Sequence, residues 1–185
     1  PGGRRTIARL WRDAAAADRP NPAYLVEDDG ERWREVSWHD ADELVRAYAN
    51  GLLARGIGKG DAFAILAQNS LDWALVDFAL AQIGSIGIPI YANSSARDVA
   101  YVLEHSEAVG IVCEDAEQLA KVESVAEELP RLEHVLTYHD LAGLASHGID
   151  FAQSHPSALD DAFAAVEEED LYTIIYTSGT TGPPK

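Results

Sequence analysis

The chain has 185 residues, 47% of them hydrophobic and 24% charged, with 31 acidic against 14 basic side chains and a formal net charge of −17. A chain of this length can bury roughly 70% of its unfolded surface, and the composition excludes a collagen-like, disordered or disulfide-built protein. The acidic balance disfavours nucleic acid, whose backbone is bound by clustered Lys and Arg. It leaves room for a nucleotide held by backbone N–H groups, one lysine and Mg²⁺.

In chain order the pattern alternates between helical and strand periodicity, which predicts a layered, βα-alternating α/β protein. Ile7, Leu10, Trp11 and Ala14 form a first helical stripe. Residues 23–27 and 34–37 read as two short strands about the polar turn 28–30, and Ser37 with Asp40 reads as a capping box. Leu44, Val45, Tyr48 and Leu52 continue one helical face, with Gly56 as its stop. Residues 62–67 read as a buried strand, and Ser70 opens a helix carrying Leu71, Leu75, Phe78 and Ile83 that ends at Gly84. Residues 86–90 are the next strand. Ser95 and Asp98 cap a helix with Val99, Val102 and Leu103, and 109–113 is a further strand. Leu119, Val122, Ala126 and Leu129 predict a helix stopped by Pro130, and 134–138 a strand. Between Asp140 and Asp170 the pattern weakens to one short helix, a loop at Pro156 and an acidic run, 167–170, expected to be a solvated rim. A last strand is expected over 172–176.

Cys113 is the only cysteine, which excludes an intrachain disulfide and fits a reducing, cytoplasmic compartment. Its apolar surroundings predict a buried, inert thiol. The six histidines show neither H-E-x-x-H nor zinc-type spacing, and no G-x-S-x-G is present to make Ser178 a hydrolase nucleophile. Trp11, Trp38, Trp73 and Phe78 read as core. No apolar run approaches the roughly 18 residues that suggest a membrane helix.

The chemistry concentrates in 176–185, YTSGTTGPPK, where four Ser and Thr hydroxyls, two glycines and a lysine fall within nine positions after an apolar strand. Glycine lets backbone approach a phosphate, hydroxyls and N–H groups donate to its oxygens, and lysine supplies a point charge. The spacing is not that of a Walker loop. By composition alone, a phosphate cradle and a functionless Ser/Thr/Gly linker are about equally plausible.

The segment resembles the phosphate-loop signature of the acyl-adenylate-forming (AMP-binding) superfamily, Y-T-S-G-T-T-G-x-P-K, with Pro183 at the variable place. Segments 36–45, 56–61 and 69–73 resemble the family's early scaffold. Segments 84–91, Ser94-Ser95 and 99–108 resemble its long-chain fatty acyl-CoA synthetase branch. The resemblance implies ATP-dependent activation of a carboxylate, in this branch a long-chain fatty acid, to acyl-AMP, then transfer to coenzyme A. It implies that Thr177, Ser178, Gly179, Thr180, Thr181, Gly182 and Lys185 bind the triphosphate, with Thr177 also a Mg²⁺ ligand. It assigns no catalytic role to Trp73, Tyr91 or Glu104. Residues 1–185 would then be an incomplete N-terminal AMP-binding domain ending at the phosphate-binding loop 176–185, inactive alone. The adenine, carboxylate and coenzyme A sites would lie beyond Lys185. The expected partners are small molecules (ATP, fatty acid, coenzyme A), with no nucleic acid and no transmembrane segment, and with room for a peripheral membrane contact in the full-length protein. Activation of an aryl or amino acid, or a non-catalytic nucleotide-binding or interaction module if the chain is naturally this short, are the alternatives.

Overall fold

The computed structural model describes residues 5–28, 30 and 32–177. Its centre is a parallel four-stranded sheet in the order β4-β3-β5-β6, built from β3 (Ala62–Leu66), β4 (Ile86–Ile90), β5 (Gly110–Cys113) and β6 (His134–Thr137). All five residues of β3 are buried. Phe63 and Ile65 join one apolar cluster, whereas Ala62, Ala64 and Leu66 join another, so the strand's period of two feeds both faces of the sheet.

The first face is covered by α2 (Trp38–Leu53) and α3 (Leu71–Ile83), with α1 (Ile7–Ala16), α6 (Leu141–Ser154) and α7 (Ala158–Ala165) also packed into that cluster. The second face is covered by α4 (Ala96–His105) and α5 (Ala116–Glu123). Strand order accounts for this division. The step from β3 to β4 runs one way across the sheet, and the steps from β4 to β5 and from β5 to β6 run the other. With crossovers of one hand, the connecting helices must then fall on opposite faces. A separate antiparallel hairpin pairs β1 (Tyr24–Asp28) with β2 (Arg32–Val36), Tyr24 opposite Val36.

The helix boundaries follow local chemistry. Thr6, Ser37, Ser70, Ser95 and Asp115 each accept an N–H from the first turn of the helix they precede. Gly84 closes α3 in the left-handed region, at φ 70°, a conformation costly for any residue with a Cβ.

Four expectations need correction. The helix expected as far as Pro130 ends at Glu123 and resumes only as a 3-10 turn, Ala126–Glu128; the Ser124 hydroxyl bonds the Lys121 carbonyl at the break. The weak stretch after Asp140 holds two helices rather than one. It was hard to read because Gly143 and Gly148 dilute the α6 stripe, yet Gly148 is buried there against the α2 backbone at Ala47 and Gly51. In the acidic run, 167–169 are exposed but Asp170 is not a simple solvated rim residue. It pairs with Lys59 at 2.8 Å, and the Lys59 ammonium also donates to the Ala165 carbonyl. Finally, 172–176 is not a full strand, as described below.

Candidate functional site

The carboxyl ends of β3, β4 and β5 open onto a cleft of about 730 Å³, lined by the loops at 67–69, 91–93 and 114–115 and by Glu117 and Gln118 in the first turn of α5. Adjacent strands here send their chains to opposite faces, β3 to α3 and both β4 and β5 to the other side. Such switch points are where open α/β sheets leave a crevice for ligands. The loops are tied to one another. The Gln68 N–H donates to the Glu114 carboxylate at 2.9 Å, and the Lys121 ammonium donates to the Ala92 carbonyl at 2.7 Å and to Gln118 at 2.9 Å. Tyr91, at 68% exposure, stands in this cleft. The polar character of these loops was not singled out in the sequence, because Gln, Asn and Glu after a strand look like any solvated turn.

The expected strand at 172–176 is reduced to a single parallel bridge between Thr173 and Gly87 on β4. The Gly87 N–H donates to the Tyr172 carbonyl at 2.9 Å, and the Gly87 carbonyl accepts from the Ile174 N–H at 3.1 Å and from the Thr173 hydroxyl at 2.9 Å. A regular strand would set Tyr172, Ile174 and Tyr176 on one face. Instead the Tyr172 hydroxyl donates to Asp77 on α3, while Ile174 and Tyr176 pack into the cluster on the opposite face. That change of side breaks the ladder.

Because the bridge is parallel, the chain passes Gly87 in the same direction as β4. Tyr176 is buried, its hydroxyl 2.8 Å from His105 Nδ1, and Thr177 follows, exposed. Of the residues expected to bind phosphate, only Thr177 lies within the described residues. Ser178, Gly179, Thr180, Thr181, Gly182 and Lys185 lie outside the described residues. Trp73 is half-buried against the first cluster, and Glu104 is exposed on α4.

Burial and hydrogen bonding perturb the titratable groups beside this stem. Burial pushes the Asp77 carboxyl above its ordinary range, and the hydrogen bond from Tyr172 opposes the shift. Burial, then the neighbouring Asp77 charge, push the Tyr172 phenol upward. Cys113, fully buried, is pushed up to about 12, first by burial and then by Asp115 and Glu123, which agrees with an inert thiol. Among the described residues there is no cluster of three or more His, Cys, Asp or Glu able to hold a metal. No helix among them is long and apolar enough to cross a membrane.

A parallel α/β sheet with helices on both faces and a cleft at its carboxyl edge defines a layered α/β class of protein, and comparison with known proteins gives the family. The family described as "AMP-binding enzyme" matches residues 11–185. The chain is 35% identical over 176 residues to the long-chain-fatty-acid–CoA ligase FadD15 of Mycobacterium bovis, covering 91% of this chain and 29% of that protein. It is 31% identical over 169 residues to the long-chain-fatty-acid–CoA ligase ACSBG2 of Xenopus laevis, covering 87% and 23%. The crystal structure of the N-terminal domain of FACL13 from Mycobacterium tuberculosis superposes with a TM-score of 0.77 at 21% identity, over 94% of this chain and 42% of that one. The chain belongs to the AMP-binding enzyme family. It spans less than a third of the length of the curated relatives cited here.

Proposed function

We propose that residues 176–185 are the phosphate-binding loop of an acyl-CoA ligase, and that 1–185 is an incomplete AMP-binding domain within it. The carrying observation is the contiguous YTSGTTGPPK sequence, which follows a stem bridged in parallel to β4 at Thr173 and Gly87. In this reading the parent protein converts a long-chain fatty acid to acyl-AMP. A carboxylate oxygen attacks the α-phosphorus of ATP and pyrophosphate leaves. The sulfur of coenzyme A then attacks the acyl carbon, AMP leaves, and the thiol proton is released. The long-chain acid is supported by the relatives at 35% and 31% identity, both of which are named for it.

Thr177, Ser178, Gly179, Thr180, Thr181, Gly182 and Lys185 hold the triphosphate, so their contribution is positioning and charge neutralisation. The Thr177 hydroxyl is a hard oxygen of the kind Mg²⁺ takes beside phosphate oxygens, so the donor chemistry fits that ion. Bound there, Mg²⁺ would offset charge on the phosphate oxygens. A cytoplasmic parent, with peripheral contact to the membranes that hold fatty acids, accords with this reading.

The test is ATP–pyrophosphate exchange by the parent protein. Palmitate supports exchange better than acetate or an amino acid; exchange driven only by an aryl or amino acid would remove the long-chain assignment and leave the superfamily. Thr180→Ala and Thr181→Ala each lower activity about 10- to 150-fold, the scale of a hydrogen bond to a charged group. Lys185→Ala weakens ATP use without unfolding the protein. The 185-residue chain alone makes no thioester from ATP, Mg²⁺, palmitate and coenzyme A, and binds ATP more weakly than about millimolar.

A further inference from the structure

We propose that Asp77 is a positioning residue for the phosphate loop, holding the stem of that loop to α3 through the hydroxyl of Tyr172. The proposal rests on the reading of 176–185 as a phosphate loop and adds to it a residue nearly 100 positions earlier in the chain.

Asp77 lies in the middle of LDWALVDFALAQI, where the following residues Ala79, Leu80, Ala81 and Ile83 and the preceding Leu75 and Val76 are buried. A carboxylate removed from water at such a place is costly unless hydrogen-bonded. One of its oxygens accepts from Tyr172. The other faces Gly87, where an added Cβ would sit 3.3 Å from Asp77 Oδ1. The lack of a side chain at Gly87 lets the carboxyl reach over β4 to the stem on its far side.

The stem is also held by the Gly87 backbone and the Thr173 hydroxyl, and farther along by Tyr176 on His105. Tyr172 is tied to α3 on one face of the sheet and Tyr176 to α4 on the other. The two ties are four positions apart, and Tyr176 is itself the first residue of the loop 176–185. A bridge of one residue pair has no ladder to fix its register. The side-chain tie to Asp77 supplies that fixation at the stem's start. Loop groups that neutralise phosphate charge are sensitive to displacement, since misplacement by about 1 Å can cost on the order of 100-fold in rate.

The test uses the parent ligase. Asp77→Ala and Tyr172→Phe each lower kcat/KM for ATP about 10- to 100-fold, with the fatty acid KM unchanged. The double variant is no worse than either single one, because both remove the same tie. Asp77→Asn, which keeps an acceptor oxygen, recovers most of the loss. Hydrogen exchange at the Ile174 amide quickens in Asp77→Ala and Tyr172→Phe but not in Asp77→Asn. Tyr172→Phe deletes a single oxygen, so it keeps the test open if Asp77→Ala fails to fold. Suppose Thr181→Ala and Lys185→Ala impair ATP use while Asp77→Ala and Tyr172→Phe stay within twofold of the parent. The loop reading then survives and the positioning role is overturned. Equal losses toward ATP and fatty acid, or an Asp77→Asn as impaired as Asp77→Ala, also overturn it. Unchanged ATP kinetics in Thr181→Ala and Lys185→Ala remove the loop reading itself, and this proposal with it.

Discussion

The hydroxyl of Tyr176 and Nδ1 of His105 lie 2.8 Å apart, which joins the C-terminal turn of α4 to the residue immediately before Thr177. The rings meet edge-on, their centroids 5.6 Å apart at 90°, and His105 in turn stacks on Tyr101. Tyr176→Phe keeps the ring packing and removes the hydrogen bond. The expected loss is about 0.5–1.5 kcal/mol of stability in a urea titration, the net worth of one such bond. Faster hydrogen exchange should accompany it at Thr177. An unchanged midpoint and unchanged exchange would show that the pair does not hold the stem.

The contact of α2 with α6 depends on two glycines. A Cβ on Gly148 would overlap the Ala47 carbonyl oxygen, and one on Gly51 would overlap the Leu144 carbonyl oxygen. Backbone cannot give way as a side-chain tip can, so the helices must separate. Gly148→Ala and Gly51→Ala are each expected to lose about 1–3 kcal/mol or more by overpacking, despite the better helix propensity of alanine. Thermal unfolding decides. An increase in stability in either variant would contradict the close approach.

Cys113 keeps its proton to about pH 12 when folded, against an ordinary value of 9.0. It should therefore resist a thiol reagent at pH 8 in native buffer and react promptly in urea. Because the folded value is raised, its contribution to stability is present below pH 9 and is lost as pH rises toward 12, where the unfolded thiol ionises and the buried one does not. Rapid labelling of the native protein would refute its burial.

Arg12 joins three helices. Its guanidinium donates to Gln82 on α3 and to Asp160 on α7, both at 2.8 Å, and lies 3.6 Å from the centre of the Phe163 ring. Gln82 is buried and uses its amide nitrogen on the Ala8 carbonyl, so removal of Arg12 leaves a buried acceptor without this donor. Arg12→Ala is expected to cost about 1–3 kcal/mol. Arg12→Lys should recover little of it, because an ammonium does not reproduce the planar fork that meets two acceptors and an aromatic face together. Full rescue by lysine in a denaturant titration would show that charge alone is used.

The sequence by itself determined what is periodic or local. Buried strands 62–66 and 86–90, the caps at Ser37, Ser70 and Ser95 and the stop at Gly84 were legible, because each depends on residues within a turn or two of one another. The segment 176–185 was legible as a candidate phosphate loop through its contiguous resemblance to a family signature, since its composition alone left a cradle and a linker equally open. The tertiary structure alone decided the strand order, the glycine contact that sustains α6, and the reduction of 172–176 to one bridge. It alone joined Asp77 to Tyr172 and His105 to Tyr176. Those pairs are 95 and 71 positions apart, and neither a carboxylate on a helix nor a tyrosine in an apolar run signals its partner. A hydrogen bond is made by proximity in space, which appears only when the sheet brings α3 and α4 to opposite sides of the same stem.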